Sequence, residues 1–454
     1  MSPPKMFRAD DTIAALASPP GRGALALLRV SGPATRDLLA ALFRAPAAVE
    51  PRRARLGELV HPHSGEVLDR AVVVFYEEPH SYTGEDLAEI TVHAGPAVVE
   101  GALEALCDAG ARPAEPGEFT WRAVANGKLD LTEAQAVADL AEARTAAARG
   151  EALRRLGGEL SHRVNGLRER IVAARALAEA SLEFQREVDV EEVLASTAAA
   201  ERSARKLVAS SRDRETLHRG LTVALAGPRN AGKSTLFNRL LGEDRAIVTP
   251  HPGTTTDRLE APYLAGGFLF RLSDGAGLTA RGGRGAVERE GIRRARAYLE
   301  EAALVIWLDD LTSPPPAEAP PVAPEKLIWA ANKADLASHA GWGPADKSAR
   351  FLRLSALTGE GVEVLTSALV SRARKAGGAA PEEGTLTLSA RERRLLEEAG
   401  EGLARARDLI RARGIEELAA EELRLAAEAL AKIVGEIGIE EIYGEIFSRF
   451  CIGK

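Results

Sequence analysis

Cysteine is scarce in this sequence, and long apolar segments are missing from it. The 454 residues include two cysteines, Cys107 and Cys451, which excludes a framework of disulfide bridges and predicts a reducing compartment. No apolar run approaches the ~20 residues that a membrane-spanning helix needs. Residues 1–23 lack the apolar core of a secretion signal. These absences predict a cytoplasmic protein without a membrane span, or at most a peripheral one.

An excess of basic charge is also lacking. Acidic residues outnumber basic residues by 66 to 59, which gives a formal net charge of −7. This balance excludes a uniformly basic surface for non-specific nucleic-acid binding but leaves room for a local basic patch. No basic stretch interleaved with aromatic residues marks an RNA-binding surface. The length is that of about two to four domains.

The stretch 221–236, LTVALAGPRNAGKSTL, is typical of a strand, a phosphate-binding loop and the start of a helix. An ordinary glycine-containing turn is the alternative, but chance would rarely also supply the apolar run before it. Gly227 and Gly232 let backbone N–H groups face an anion at the positive end of the helix dipole. Lys233 is expected to reach the outer phosphates, and Ser234 to place a hydroxyl on Mg²⁺. The other predicted loop contacts are Asn230, Ala231 and Thr235.

A second motif further along the chain specifies the base. The apolar run 327–331 leads into NKAD, which contains Asn332, Lys333 and Asp335. The Asp335 carboxylate can accept hydrogen bonds from the N1–H and the amino group of guanine, whereas adenine offers no such pair. A strand-like run, 351–357, ends in a turn whose backbone N–H groups are expected to meet the guanine carbonyl. The predicted contacts in this turn are Ser355, Ala356 and Leu357.

Two segments between these motifs supply candidates for metal and γ-phosphate contacts. Thr255, in the GTTTD segment 253–257, offers a second hydroxyl for Mg²⁺. Asp274 follows a strand-like run and would hold the metal through water, and the Gly277 amide would sense the γ-phosphate. Leu278 stands where switch GTPases commonly have a water-orienting glutamine, and it cannot take that role. The remaining predicted GTP contacts are Thr249, Gly253, Thr254, Gly275 and Ala276.

Asn230 has two interpretations. Its amide oxygen could help to hold a monovalent cation beside the β- and γ-phosphates, where another GTPase uses an arginine finger. Alternatively, it is a loop residue that tolerates left-handed backbone geometry. The residues alone leave both interpretations open.

Changes in residue composition and hydrophobic periodicity divide the chain into four segments. Strand-like runs and helical spacing alternate in residues 1–124, which predicts an N-terminal α+β domain. Helical sequence rich in Ala, Leu, Glu and Arg fills 125–219 and returns at 381–454. A complete phosphate-loop module lies between these segments, at 220–380. The prediction is a multidomain α/β and all-α protein in which a Ras-like GTPase domain is inserted into one discontinuous helical domain.

Finer patterns give expectations about single elements. Thr132 with Gln135, and Ser389 with Glu392, have the spacing of capping boxes. Three further segments have clear patterns: an apolar stripe at 153–171 predicts one long helix, 195–219 predicts another, and the proline-rich stretch 312–324 predicts an exposed loop. Another apolar stripe is formed by Leu418, Leu423, Ala426, Leu430 and Ile433. Cys451 could be a nucleophile, but with no histidine near it in the sequence, simple burial is favoured.

Four features together resemble the MnmE (TrmE) family of tRNA-modification GTPases along essentially the whole chain. They are PPGRG at 19–23, PGEFTWRA at 116–123, a GTPase module inserted into helices, and CIGK at 451–454. The resemblance implies a flavin (FAD)-dependent partner, MnmG or GidA, with which the family installs a (carboxymethyl)aminomethyl group on carbon 5 of the wobble uridine of certain tRNAs. It also implies a homodimer formed through the N-terminal domains, which bind 5-formyl-tetrahydrofolate or a related one-carbon tetrahydrofolate. Potassium-dependent dimerisation of the GTPase domains would trigger hydrolysis.

The resemblance also implies roles for individual residues. Ser234 and Thr255 match the Mg²⁺ ligands, and Glu288 matches a water-orienting glutamate that would fill the role Leu278 cannot. Lys233 and Asp274 are the other candidate catalytic residues. The implied potassium ligands are Asn230, Thr249, His251 (through its backbone carbonyl) and Thr254. The implied folate contacts are Arg29, Glu89, Lys128 and Lys454, and a positive pair among them suits the glutamate tail of a folate.

The sequence departs from the family pattern around the switch region. Thr256 stands in place of an arginine, Gly275 in place of a threonine, and the segment 279–285 is rich in glycine. These changes bear on switch ordering and hydrolysis rate rather than on nucleotide binding. Two other functions remain as alternatives: a ribosome-assembly or signalling GTPase, and a folate-dependent transferase that acts on a small molecule.

Overall fold

The computed structural model describes residues 10–183, 190–242, 260–274, 297–342, 351–375, 386–412, 416–436, 450 and 452–453. The chain forms two compact units. One unit combines Met1–Ala141, Ala152–Lys206 and Arg394–Lys454, and the other combines Glu142–Glu151 and Leu207–Arg393. Among the helices described, none is both long and apolar enough to cross a bilayer.

The secondary-structure elements are numbered in chain order. The strands are β1 (Ile13–Leu16), β2 (Leu25–Ser31), β3 (Phe43–Arg44), β4 (Arg55–Val60), β5 (Val67–Tyr76), β6 (Leu87–His93), β7 (Arg112–Pro113), β8 (Arg212–Asp213), β9 (Leu221–Ala226), β10 (Glu260–Ala265), β11 (Phe268–Asp274), β12 (Leu304–Asp310), β13 (Leu327–Asn332), β14 (Leu352–Arg353) and β15 (Thr387–Leu388). The helices are α1 (Thr35–Leu42), α2 (Pro96–Asp108), α3 (Glu118–Ala125), α4 (Leu131–Glu142), α5 (Ala146–Leu156), α6 (Glu159–Glu183), α7 (Val190–Ser210), α8 (Arg214–Arg219), α9 (Lys233–Gly242), α10 (Val362–Lys375), α11 (Ala390–Ala412) and α12 (Glu416–Val434).

The first unit contains a seven-stranded sheet in the order β3-β4-β5-β6-β2-β1-β7. Ala71, Val73 and Phe75 of β5 are buried while the residues between them are half-buried, because successive side chains of a strand point to opposite faces. Helices α1 and α2 pack on the buried face, where Leu38 and Leu106 join its apolar cluster. This arrangement confirms the predicted N-terminal α+β fold.

A buried charge cluster anchors α3 to the sheet. Arg122 of α3 is fully buried and donates to Asp11 (2.6 Å) and Glu85 (3.0 Å). Arg112 donates to Asp11 (2.9 Å) and to Glu118 (2.7 Å). Burial acts to raise the pKa of Asp11, but the hydrogen bonds from the two arginines outweigh it and hold that pKa below its ordinary value.

The helical part of the first unit is built mainly on α6 and α12, which pack along each other. Helices from both sides of the GTPase segment therefore belong to one unit, as an insertion predicts. Most residues of the two apolar stripes are buried, but Leu153 and Leu418 are 50% and 57% exposed and Leu156 is half-buried. The buried stripe residues are Leu160, Val164, Leu167, Ile171, Leu423, Ala426, Leu430 and Ile433.

Three predictions about helices in this region were wrong. The stripe 153–171 is not one helix, because Gly158 has a φ of +80° between α5 and α6. The segment 195–219 is divided into α7 and α8, since its middle forms β8 and pairs with β15. The cap of α4 is Asp130, whose side chain accepts from the Thr132 and Glu133 amides (2.7 and 3.0 Å); it is not a Thr132–Gln135 box.

Two other local predictions are confirmed. The Ser389 and Glu392 side chains bond each other's backbone N–H groups, at 3.2 and 2.8 Å, which is a capping box. The proline-rich segment 312–324 contains no helix or strand and is mostly exposed.

The second unit contains a six-stranded sheet in the order β10-β11-β9-β12-β13-β14, in which β10 is the antiparallel strand. The six residues Leu304–Asp309 of β12 are all buried, as expected for a central strand that is covered on both faces. The predicted strand 351–357 is reduced to β14, because its second half turns to form a loop. Because the parallel strands end at one edge, the segments that follow β9, β13 and β14 meet there.

Candidate nucleotide site

The phosphate loop is the turn between β9 and α9. Gly227 and Gly232 have φ values of +131° and +93°. A Cβ at Gly227 would lie 2.1 Å from the carbonyl oxygen of Leu308, and a Cβ at Gly232 would lie 2.2 Å from the Asn332 Nδ2. Both positions therefore require glycine, for backbone geometry and for space.

Lys233 and Asn230 line this loop. Lys233 begins α9, and its Nζ donates to the carbonyl oxygens of Gly227 (3.0 Å) and Pro228 (2.8 Å), so the ammonium group lies across the loop. Asn230 has a φ of +63°, which is the left-handed geometry of its second interpretation. Its potassium role stays a prediction. Ser234 and Thr235 follow Lys233 in the first turn of α9.

Asn332 joins the phosphate loop to the guanine loop. Its Nδ2 donates to the carbonyl oxygen of Ala231 (2.8 Å), and its Oδ1 accepts from the Ala356 N–H (2.8 Å). Asn332 is 3% exposed, so both bonds lie away from water. One side chain thus fixes the spacing between the two predicted binding loops.

Lys333 and Asp335 follow at the exposed edge. Lys333 pairs with Asp310 at the end of β12, with 2.6 Å between Nζ and Oδ2. Burial acts to raise the pKa of Asp310, but hydrogen bonds from Lys333 and Thr312 outweigh it and hold that pKa below its ordinary value. The Asp335 carboxylate is exposed, and its Oδ1 accepts from the Ser355 hydroxyl. A carboxylate placed at an open edge can accept the two N–H donors of a guanine.

Arg239 is a site residue that sequence analysis missed. It lies on α9 and donates to the carbonyl oxygens of Ala356 (Nε, 3.1 Å) and Leu357 (Nη2). No motif marks an arginine inside a helix as a partner of a loop more than a hundred residues away. Only the fold brings the two together.

Several predicted site residues lie partly or wholly outside the described residues. Asp274 ends β11 in register with Leu225 of β9, but its side chain lies outside the described residues. The following residues lie wholly outside them: Thr249, His251, Gly253, Thr254, Thr255, Gly275, Ala276, Gly277, Glu288 and Lys454. Cys451, for which the sequence favours burial over a nucleophilic role, also lies outside the described residues.

The first unit brings together two of the predicted folate contacts. Arg29 of β2 and Glu89 of β6 are cross-strand partners, with 2.6 Å between Nη2 and Oε1. Arg29 also donates to the carbonyl oxygen of Gly453 (3.3 Å) and lies over the rings of Tyr82 and Phe119, 5.4 and 5.8 Å from their centroids. The result is a small ionic and aromatic cluster at the second, half-buried face of the sheet.

Two other groups lie in the same part of the fold. Lys128 donates to the carbonyl oxygen of Pro79 (3.0 Å) rather than to Glu89. Burial and the nearby Glu89 carboxylate raise the pKa of Tyr76. Tyr76 is therefore a neutral hydroxyl beside the ion pair at physiological pH.

The chain matches family models of single domains and also full-length known proteins. The family model described as the GTP-binding protein TrmE N-terminus matches residues 12–128, and the MnmE helical domain model matches residues 131–451. The tRNA modification GTPase MnmE of Methylobacterium sp. (strain 4-46) is 42% identical, over 98% of this chain and 100% of its own. The MnmE of Aquifex aeolicus (strain VF5) is 38% identical over the same shares.

A human protein is as similar as the bacterial ones. The mitochondrial 5-taurinomethyluridine-[tRNA] synthase subunit GTPB3 of Homo sapiens is 41% identical, over 98% of this chain and 93% of its own. The matches run through the N-terminal sheet, the helices and the inserted nucleotide site alike. The chain therefore belongs to the MnmE (TrmE) family of tRNA modification GTPases.

Proposed function

We propose that this chain hydrolyses GTP in order to modify tRNA. In this proposal it acts with a flavin-dependent partner of the MnmG (GidA) type to add a (carboxymethyl)aminomethyl group to carbon 5 of the wobble uridine. The observation that carries the proposal is the Asn332 bridge, which holds a phosphate loop and a guanine loop at a fixed spacing. The names of the full-length relatives supply tRNA as the substrate class.

The proposed hydrolysis uses groups at both ends of the nucleotide. Lys233 would leave the carbonyl oxygens of its own loop for the phosphate oxygens when GTP binds, and Asp335 would hold the base. Ser234, in the first turn of α9, fits a magnesium ligand because a hydroxyl there adjoins the loop. When bound, Mg²⁺ neutralises charge on the phosphates. Thr255 is its second proposed ligand.

Potassium and a second copy of the chain complete the catalytic proposal. Asn230 presents a left-handed turn at the surface of the phosphate loop, where an amide oxygen could face a cation between two GTPase domains. The proposed additional ligands are Thr249, His251 and Thr254. Glu288 would orient the attacking water. Leu278, at the usual position of a water-orienting glutamine, cannot do so because its side chain has no polar group.

The N-terminal sheet is proposed to bind a one-carbon tetrahydrofolate. Its support is the half-buried cluster of Arg29, Glu89 and Tyr82, backed by the buried Phe119, which offers an ion pair and one aromatic ring to a flat, polar ring system. The backbone of Gly453 lies against the same cluster, which fits the predicted role of Lys454. Dimerisation through the N-terminal domains is part of the same proposal.

Nucleoside analysis of tRNA tests the proposed function. A strain that lacks the gene is complemented with the wild-type chain, Lys233→Ala or Asp335→Asn, and the modified wobble uridine is measured by mass spectrometry. We expect the modification with the wild-type chain and its loss with both variants. Full modification without the gene would contradict the proposal, as would defects confined to ribosome assembly or to small-molecule folate products.

A further inference from the structure

The turn at residues 355–358 forms one wall of the predicted guanine pocket, and most of its amides are already used. Three of its four N–H groups donate within the protein: Ser355 to the carbonyl oxygen of Glu360 (2.8 Å), Ala356 to Asn332 Oδ1 (2.8 Å) and Thr358 to Ser355 Oγ (3.1 Å). The Leu357 N–H has no hydrogen-bond partner among the residues that the structure describes. Leu357 is also 68% exposed, so its amide is the one left to donate to a ligand.

Arg239 determines the direction of this amide. The carbonyl of Ala356 and the N–H of Leu357 belong to the same peptide group, which is planar and trans, so they point in opposite directions. Arg239 holds that carbonyl from the α9 side (3.1 Å) and also holds the carbonyl of Leu357. The Leu357 N–H is therefore directed away from α9.

We propose that Arg239 is a positioning residue for guanine recognition, which orients the Leu357 amide toward the oxygen at position 6 of the base. This inference rests on the guanine site proposed above. Asp335 would bind the N1–H and the amino group of guanine. The Leu357 amide and the Asp335 carboxylate would therefore recognise different atoms on the same edge of the base. An oriented donor improves binding because less freedom is lost when the ligand arrives.

Arg239 also connects the guanine wall to the phosphate loop. It lies on the helix that begins with Lys233, so the guanine wall is attached to the helix that carries the phosphate loop. Asn332 joins the phosphate loop to the same wall through the neighbouring peptide group, at the Ala356 N–H. The wall is thus held at two adjacent peptide groups before any base is present.

Nucleotide analogues separate this role from a purely structural one. The full chain, its Arg239→Met variant and the control Arg374→Met are titrated with GDP, 6-thio-GDP and IDP. Arg374 is an exposed arginine of α10 that makes no hydrogen bond or ion pair among the described residues. Sulfur at position 6 is a weak acceptor and tests the Leu357 amide, whereas IDP lacks the amino group and tests Asp335.

We expect the wild-type chain and Arg374→Met to prefer GDP over both analogues. Arg239→Met should bind GDP about tenfold more weakly, the effect of one lost charge-assisted hydrogen bond. Its preference for GDP over 6-thio-GDP should largely disappear, while its preference for GDP over IDP should stay at the wild-type value. Arg239→Lys keeps one donor and should give intermediate values, which serves as the test if the methionine variant folds poorly.

Two results would overturn the inference while leaving the guanine site intact. One is an Arg239→Met variant with the wild-type ratio of GDP to 6-thio-GDP affinity. The other is an equal loss of affinity for all three nucleotides, which a structural role would give. A wild-type chain that binds none of them would instead overturn the guanine site itself.

Discussion

A few polar side chains fix the geometry of the nucleotide site. Asn332 is almost fully buried and satisfies a backbone carbonyl and a backbone N–H on two different loops. Buried polar groups without a partner are costly, so this residue contributes to the folding of the site as well as to its shape. Asp335, in contrast, is exposed and has an oxygen that can face a ligand.

Replacement of Asn332 by alanine should damage both loops together. The change leaves the Ala231 carbonyl and the Ala356 N–H without their partner, at a cost of about 2–4 kcal/mol for the pair. We expect GDP affinity to fall at least about thirtyfold and the unfolding temperature to drop. Fluorescent GDP titration and thermal unfolding measure both quantities. Asn238→Ala, an exposed position on α9, is the control and should change neither.

Asp335→Asn should change the base that the site prefers. The amide places an N–H group opposite the N–H donors of guanine, whereas xanthine offers a carbonyl oxygen at that position. We expect GTP affinity to fall about a hundredfold, roughly 2.7 kcal/mol, and XTP affinity to rise. Competition binding measures the ratio, with the exposed Glu318→Gln as control. An unchanged ratio would remove Asp335 from base recognition.

At the scale of elements, charged contacts add to a small buried apolar cluster that joins α3 to β1 and to the residue after β7. Arg122 and Arg112 link α3, β7 and the segment before β1 through the carboxylates of Asp11 and Glu118. Both arginines come from the N-terminal α+β fold, one of them within PGEFTWRA. The motif that carried part of the family resemblance is thus, in its Glu118 and Arg122, a buried structural cluster.

Asp11→Asn should destabilise the chain in a pH-dependent way. The folded-state pKa of Asp11 is lowered, so its contribution is complete above the unfolded value of about 3.9 and is lost as pH falls through the folded value. We expect the variant to unfold at a lower temperature at pH 7, an effect of about 2 kcal/mol. The difference from wild type should begin to shrink as pH falls below about 4 and should be lost only below the lowered folded-state pKa.

Thermal unfolding from about pH 7 down to about pH 2, a range that includes the titration of an aspartate with a lowered pKa, measures this difference. The exposed Asp37→Asn, on α1, loses only the interaction of a surface carboxylate with the helix dipole and should differ from the wild-type chain much less than Asp11→Asn does. A gap between Asp11→Asn and wild type that stayed constant down to the lowest pH would show that Asp11 does not titrate within the cluster.

At the scale of the whole molecule, the sequence of a GTPase module separates two helical segments that pack together. Helices α6 and α12 belong to the segments on either side of the module and form one unit. The module keeps its own sheet and its own core. The potassium-dependent association proposed above would be a property of this module.

The potassium proposal predicts a difference between salts. GTP hydrolysis by the full chain is measured in KCl and in NaCl at equal ionic strength, with sedimentation of the GDP–aluminium fluoride complex in each. We expect faster turnover and a heavier species in KCl, by about tenfold or more in rate, since a bound cation stabilises the transition state. Asn230→Ala should remove the difference, and Glu288→Ala should bind GTP normally without turnover.

Equal rates and a single sedimentation coefficient in both salts would remove Asn230 and the segment 249–254 from the catalytic account. A salt effect that persisted in Asn230→Ala would assign the cation to other residues. Lys233→Ala provides the baseline for both measurements, because it should not bind the nucleotide.

The sequence by itself determined the features that depend on residues close together in the chain. A phosphate loop, an NKAD segment and the alternation of β5 are each set by neighbours within a few positions, because backbone geometry and strand periodicity are local. The Ser389–Glu392 box was predictable for the same reason. The insertion was predictable because helical sequence occurs both before and after the phosphate-loop module.

The tertiary structure alone decided which distant residues meet. The bond from Arg239 to Ala356, the pair Lys333–Asp310 and the bond from Arg29 to Gly453 join segments far apart in sequence. Local spacing also failed where tertiary pairing overrode it, as at β8, which interrupts a predicted helix in order to pair with β15. Side-chain partnership across a fold depends on how elements pack, and a single sequence contains no local signal of that packing.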